Sequence, residues 1–167
     1  MVYRGILWAP WRMSYIRSSA GKPEKCIFCE ALSSDDDKHY VVYRSRHSIA
    51  MLNLYPYNTA HVMVAPKRHV PSIELLSNEE MLDLWRTVSI VMKAIRLEYS
   101  PHGFNIGINI GRVAGAGIEH HVHVHVVPRW NGDTNFMPVV SGVKVMPEDL
   151  RSTWLRIRSA IQKVLST

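Results

Sequence analysis

The sequence predicts an α+β domain built on an antiparallel sheet. Short segments of β-branched and apolar residues recur along the chain, the 3.6-residue apolar period appears in two stretches, and no βαβ alternation of the doubly wound kind occurs. Residues 40–44 and 48–54 read as the two strands of a hairpin that turns through Ser45, Arg46 and His47. A loop over 55–60 leads into a third strand at 61–65, which Pro66 stops. Ser77 followed by Glu80 is a capping-box pattern. Met81, Leu84, Trp85, Val88, Val91, Met92 and Ile95 then mark the core-facing stripe of a long helix that ends near Tyr99, Ser100 and Pro101. Strands are expected over 104–110 and 120–127, on either side of a Gly-rich loop at 112–119, with a last strand over 139–145. Pro147 at the first helical position opens a final helix with Leu150, Trp154, Ile157, Ile161 and Val164 on one face.

At 167 residues the chain is expected to form a single domain, 1–167, with an N-terminal extension at 1–25 and the C-terminal helix within 146–167. Hydrophobic residues at 47% and charged residues at 20% fit a soluble globular protein. No apolar run approaches the ~20 residues that span a bilayer, so no membrane association is expected. The N-terminal stretch has no long apolar core before a cleavage site, and the two cysteines suit a reducing compartment, which together read as cytoplasmic. Trp8 and Trp11 are expected to cover either the domain's own core or a second subunit. A net charge of +6 suits an anionic partner, a nucleic acid or a small polyphosphate. The basic residues are scattered rather than blocked, which argues against a stable nucleic-acid partner.

Two motifs carry chemistry. On a strand, His121, His123 and His125 line one face at a spacing of roughly 7 Å, with Val122, Val124 and Val126 on the other together with His120. The valines have an obvious use as a core face; three imidazoles in register do not. Cys26-x-x-Cys29 admits core cysteines, a redox pair, or half of a zinc site. A thioredoxin-type βα context is missing, and the finger spacings fail because no Cys or His pair follows at short distance. Any zinc would therefore gather ligands from distant strands, and nine histidines leave the choice open.

His121-Val-His123-Val-His125-Val-Val resembles the signature of the histidine triad (HIT) superfamily. Asn53 followed by the His61 strand is similar to that family's first nucleotide-binding segment. The segments around Trp8, Cys26, Pro66–His69, Gly103–Gly107, Ala114–Gly117 and Val127–Pro138 resemble its prokaryotic diadenosine tetraphosphate phosphorylase branch. The resemblance implies a five-stranded antiparallel sheet with one long helix and a C-terminal helix, dimerised so that the sheets join into a homodimer or a larger homo-oligomer. It implies His123 as the nucleophile on an α-phosphate, His125 and His61 as phosphate-oxygen partners, and His121 orienting His123 through its carbonyl. It also implies a structural Zn2+ on Cys26, Cys29, His69 and His121.

The chemistry suits these roles. An imidazole that attacks phosphorus must be neutral, and a carbonyl on its other N–H fixes the tautomer. Phosphoryl transfer then needs positioning and charge stabilisation, which His125, His61, Asn53, Asn109 and the backbone of Gly115, Ala116, Gly117 and Ile118 could supply. His120 departs from the polar residues common in relatives and is expected to face away from the triad row. The loop between Asn109 and His121 is one residue longer than in eukaryotic relatives. Trp130, Asn135 and Phe136 either contact the distal nucleotide or pack. The expected function is nucleotidyl transfer from a dinucleoside polyphosphate to phosphate through a nucleotidyl-His123 intermediate. The alternatives are hydrolysis of dinucleoside polyphosphates or phosphoramidates, a non-catalytic nucleotide-binding module, and a catalytic zinc on the three histidines.

Overall fold

A computed structural model describes residues 26–166; the predicted extension 1–25, with Trp8 and Trp11, lies outside the described residues. Of these, 26–133 and 146–166 belong to one compact unit and 134–145 to a second.

The larger unit carries a five-stranded antiparallel sheet in the order β1-β2-β3-β5-β4. The predicted hairpin forms as β1 (Val41–Arg44) and β2 (Ser48–Leu52), and β2 pairs on its other side with β3 (Val62–Pro66). Strand β5 (Val124–Arg129) lies between β3 and the edge strand β4 (Gly103–Ile108), with Val64 and Ile108 both opposite Val124. Alternation sorts the side chains into two cores. Ala50, Leu52, Val62, Val64, Val124 and Val126 face one side. Ile49, Met51, Met63 and Ala65 face the other, where Phe28 and Ala31 of the short helix α1 (Ile27–Leu32) meet them.

The first face is covered by α2 (Asn78–Tyr99) and α4 (Leu150–Leu165). Helix α2 starts where predicted: Glu80 N–H donates to Ser77 Oγ at 3.2 Å, and Ser77 N–H donates to the Glu80 carboxylate at 2.8 Å. Its buried positions are Leu84, Thr87, Val88, Val91, Ala94 and Ile95. Trp85, expected on the stripe, is 45% exposed. At 100° per residue it sits roughly 120° from the stripe's centre, because the small residues Thr87 and Ala94 widen the buried face on the opposite side.

Four predicted elements are corrected. Helix α4 begins at Leu150, not at Pro147, because the Asp149 carboxylate accepts the Ser152 N–H at 3.0 Å and makes residue 149 the N-cap. The expected strand at 139–145 is instead the short helix α3 (Met137–Ser141), within the second unit. There Asn135 Oδ1 accepts the Met137 N–H at 2.9 Å, Pro138 suits the first turn, and Gly142 at φ +63° ends the helix. Strand β5 begins at Val124 rather than at His120. Ahead of it the Val122 N–H bonds to the Val70 carbonyl at 2.8 Å instead of to a ladder partner. His121 and His123 thus sit on the segment that leads into the strand, and Val122, Val124 and Val126 are all buried. His120 does not share that face; it is exposed in a turn, with Nε2 3.4 Å from the Glu119 carboxylate. The strand predicted over 104–110 runs one residue earlier and ends two earlier, at Ile108, where β5 stops offering partners.

Candidate active site and metal centre

Cys26 caps the N-terminus of α1 and Cys29 lies in its first turn. Residues three apart on a helix share a face, so both sulfurs project together. His69, after β3, and His121, before β5, complete a group whose four donor atoms all lie within 4.8 Å of one another. Nδ1 of His121 stands 3.1 Å from Cys26 Sγ and 3.7 Å from Cys29 Sγ, and Nδ1 of His69 stands 3.3 Å from Cys29 Sγ. A tetrahedral zinc with ordinary Zn–S and Zn–N lengths spaces sulfur and nitrogen roughly 3.6 Å apart, so the donors fit such an ion. The ring proton of His121 is on the other nitrogen, because Nε2 donates to the Pro66 carbonyl at 2.8 Å. That leaves the Nδ1 lone pair aimed at the sulfurs, the orienting contact expected behind a metal-binding imidazole. Burial and the neighbouring Cys26 push the Cys29 thiol up to about 11, a penalty that a bound divalent cation reverses.

The same residue joins the metal cluster to the histidine row. The carbonyl of His121 accepts a hydrogen bond from His123 Nδ1 at 2.9 Å. A carbonyl only accepts, so Nδ1 of His123 carries the proton and Nε2 carries the lone pair. Phe28, between the two cysteines and fully buried, packs its ring 5.0 Å from His121 and 5.1 Å from His123. Burial lowers the His123 pKa, against the opposing pull of the His121 carbonyl, which keeps the ring neutral.

His61 and His125 form a second linked pair. The backbone N–H of Tyr57 donates to His61 Nδ1 at 3.1 Å. The proton of neutral His61 is therefore on Nε2, which donates to His125 Nδ1 at 3.0 Å and leaves the His125 proton on Nε2. The His125 ring lies 4.8 Å from that of His123, and Tyr57 covers the pair with ring centroids 4.7 Å from His61 and 5.7 Å from His125. Burial, reinforced by His125 and His123, pushes the His61 pKa down to about 3.

That shift makes stability pH-dependent. The unfolded chain takes up the His61 proton below an ordinary pKa near 6.5, while the folded chain refuses it until about 3. Stability is full above 6.5 and declines as pH falls through that window. At pH 4.5 the two units below 6.5 correspond to roughly 3 kcal/mol, or a melting temperature lower by about 5–10 °C for a chain this size. In thermal melts between pH 7.5 and 4.5, His61→Asn should flatten the slope by about this amount; an unchanged slope in the variant would refute the assignment.

The structure brings all four predicted catalytic histidines into one array, and all four predicted metal ligands into one cluster. Asn53 lies beside the array: its N–H donates to the His61 carbonyl at 3.0 Å, and its Oδ1 accepts from Tyr55 N–H at 2.9 Å. Asn109 follows β4 directly, one residue past the Ile108–Val124 pair that ends the ladder. In the glycine loop, Gly111 and Gly115 adopt φ +78° and +90°, which an L side chain resists. The N–H groups of Gly115 and Ala116 are used within the loop, on the carbonyls of Arg112 and Gly111. Those of Gly117 and Ile118 donate to no other group among the described residues, and Ile118 packs on the triad-side core. This narrows the four predicted backbone contacts to two. The Trp130 Nε1 donates to the Tyr99 carbonyl at 3.0 Å. In the second unit the Asn135 side chain accepts the Met137 N–H just ahead of α3, and Phe136 is 68% exposed. Sequence reasoning missed Phe28 and Tyr57. Each sat within a segment already singled out, Cys26–Cys29 and the loop before His61, but an aromatic ring there reads equally as packing.

A family model described as the HIT domain matches residues 35–132. The AP-4-A phosphorylase of Mycobacterium tuberculosis is 41% identical over 155 residues, covering 88% of this chain and 79% of that protein. The asymmetrical bis(5'-nucleosyl)-tetraphosphatase of Schizosaccharomyces pombe is 41% identical over 93 residues, 56% of this chain and 50% of that one. Among solved structures, a Zn-bound histidine triad family protein from Mycobacterium smegmatis superposes with a TM-score of 0.69 at 25% identity, covering 85% of this chain and 96% of that one.

Proposed function

The chain belongs to the histidine triad family, and on that footing we propose that it is a nucleotidyltransferase of dinucleoside polyphosphates, diadenosine tetraphosphate phosphorylase-like in its reaction. The observation that carries this reading is the tautomer of His123, whose Nδ1–H is committed to the His121 carbonyl at 2.9 Å and whose Nε2 lone pair is thereby available. Nε2 attacks the α-phosphorus, the P–O bond to the leaving polyphosphate breaks, and its electron pair departs on the leaving oxygen. An oxygen of inorganic phosphate then attacks the nucleotidyl-His123 intermediate and returns the lone pair to Nε2. Diadenosine tetraphosphate would yield ATP in the first step and ADP in the second. His125 Nε2–H, with the N–H groups of Gly117 and Ile118, donates to the non-bridging oxygens where charge builds up. His61 holds His125, Asn53 takes the ribose, and Asn109 adds a phosphate contact.

In this proposal Cys26, Cys29, His69 and His121 hold a zinc ion that is structural, since four protein ligands leave no open position. It stiffens the segment whose carbonyl orients His123. Thiolate ligation suits a reducing, cytoplasmic setting. A homodimer is the proposed assembly: β4 is an edge strand whose Asn105, Ile106 and Gly107 are exposed, and a second copy would cover it.

Water in place of phosphate is the second reading, favoured by the tetraphosphatase name of the Schizosaccharomyces relative. Product analysis with diadenosine tetraphosphate decides between them. ADP plus ATP, formed only when inorganic phosphate is present, is the expected result. AMP plus ATP without phosphate would establish the hydrolase, and no turnover in either condition would reject both.

A further inference from the structure

The chain has two cysteines, and both stand in the metal cluster as free thiols. Their sulfurs lie within 4.8 Å of each other, three positions apart at the start of α1. Cys26 is the N-cap, with ψ at 116°, so its backbone is not held to helical geometry. A disulfide needs the sulfurs to close to about 2.05 Å, and the chain has no third thiol to compete for either. Both cysteines are half-buried and His69 is exposed, so a small oxidant has access to the cluster. The sulfurs are in turn coupled to the nucleophile. His121 presents Nδ1 to them at 3.1 and 3.7 Å, and its carbonyl accepts from His123 Nδ1 at 2.9 Å. Phe28, between the two cysteines in sequence, lies 5.0 Å from the His121 ring and 5.1 Å from that of His123.

We infer that Cys26 and Cys29 form a thiol–disulfide switch, in which a peroxide joins the two sulfurs, dismantles the zinc site and lowers turnover until a dithiol restores the thiolates. The inference rests on the proposed zinc site. One thiolate attacks a peroxide oxygen, the O–O bond breaks, and hydroxide leaves, giving a sulfenic acid. The second thiolate attacks that sulfur, the S–O bond breaks, and a second hydroxide leaves. Two electrons have passed from the sulfurs to the peroxide, and solvent protonates both hydroxides. A dithiol returns the two electrons by exchange and ends as its own disulfide. A disulfide offers no thiolate to a metal, and His69 and His121 alone are half of the four donors that close a structural site. Loss of the ion and movement of residues 26–29 both act on the segment that orients His123. His121 keeps its Nε2 bond to the Pro66 carbonyl at 2.8 Å, so that segment is slackened rather than released. A transient disulfide of this kind is the form compatible with a reducing compartment.

The test treats the zinc-loaded protein with hydrogen peroxide and reads metal, thiols and turnover together. About one zinc per chain should pass to a chromogenic chelator as both cysteines lose their reaction with N-ethylmaleimide. The kcat for diadenosine tetraphosphate should fall about ten- to a hundredfold, to the level of protein stripped by chelator without oxidant. Dithiothreitol followed by zinc should restore it. The double variant Cys26→Ser/Cys29→Ser should start near the stripped level and lose no further turnover to the same peroxide. Thiols that still alkylate after treatment, or a disulfide that leaves zinc bound, overturn the inference. So does a loss of turnover that survives dithiothreitol and zinc, which is what damage among the eight methionines would produce. Reduced protein that purifies without zinc would defeat the metal site itself and the release step with it. Reduced, zinc-loaded protein without turnover would instead defeat the nucleotidyl-transfer proposal, and the alkylation and zinc measurements would still decide whether the disulfide releases the ion.

Discussion

Replacing His123 by asparagine is expected to lower turnover of diadenosine tetraphosphate by a factor on the order of 10⁴ or more, with nucleotide affinity within a few-fold of the parent. The size follows from what the substitution removes. The amide nitrogen of asparagine has no lone pair to offer, so no N–P bond can form, and what remains is the binding and charge stabilisation supplied by the rest of the site. Affinity survives because the proposed phosphate donors, His125 Nε2–H and the N–H groups of Gly117 and Ile118, are untouched. His125→Asn should behave differently. It removes one donor to the developing charge and frees the end of the His61 relay, a loss of about 10²–10³ in kcat with the covalent intermediate still formed. Acid quenching and intact-mass measurement of the parent should trap a nucleotidyl adduct that His123→Asn lacks. Parent-like turnover by His123→Asn would refute the mechanism at its root.

The fold was legible because its signals are local. The Ser77–Glu80 capping box and the leucine and valine spacing of the long helix fix α2 without tertiary information, and the valines of β5 announce a core face. Where expectation failed, a longer-range or side-chain term decided. Spacing alone places Trp85 inward, whereas the small buried Thr87 and Ala94 rotate the helix face away from it. Val139–Val145 has β-propensity, yet the Asn135 side chain bonded to the Met137 N–H and a proline in the first turn favour a helix over its first half. The start of β5 depends on where β3 and β4 supply ladder partners, which no periodicity in the strand itself records. The site divides in the same way. Residue identities announced the triad and the cysteine pair, and the resemblance to a known family supplied His69 among nine histidines. The tautomers were out of reach. They are set by the Pro66 and His121 carbonyls and by the Tyr57 N–H, backbone groups that every sequence possesses and only a fold aims.

Removal of metal should separate a structural from a catalytic ion, because the two make opposite predictions about stability. Purified protein is expected to carry about one zinc per chain. Stripping it should lower the melting temperature by about 5–10 °C, since an ion that binds only the folded state at some hundredfold over its dissociation constant adds roughly 3 kcal/mol. Cys29→Ser should melt near the stripped parent and respond no further to chelator. Turnover should fall with stability through one covalent route. His121 gives its Nδ1 to the metal cluster and its carbonyl to His123, and Phe28 from between the cysteines packs on both rings. Loosening the cluster therefore slackens the contacts that hold the nucleophile, without touching the lone pair itself. A partial loss of kcat with KM nearly unchanged is the signature of that arrangement. Complete loss of chemistry at an unchanged melting temperature, restored by zinc, would mean instead that the ion contacts the reacting phosphate, and that His121, His123 and His125 are its ligands.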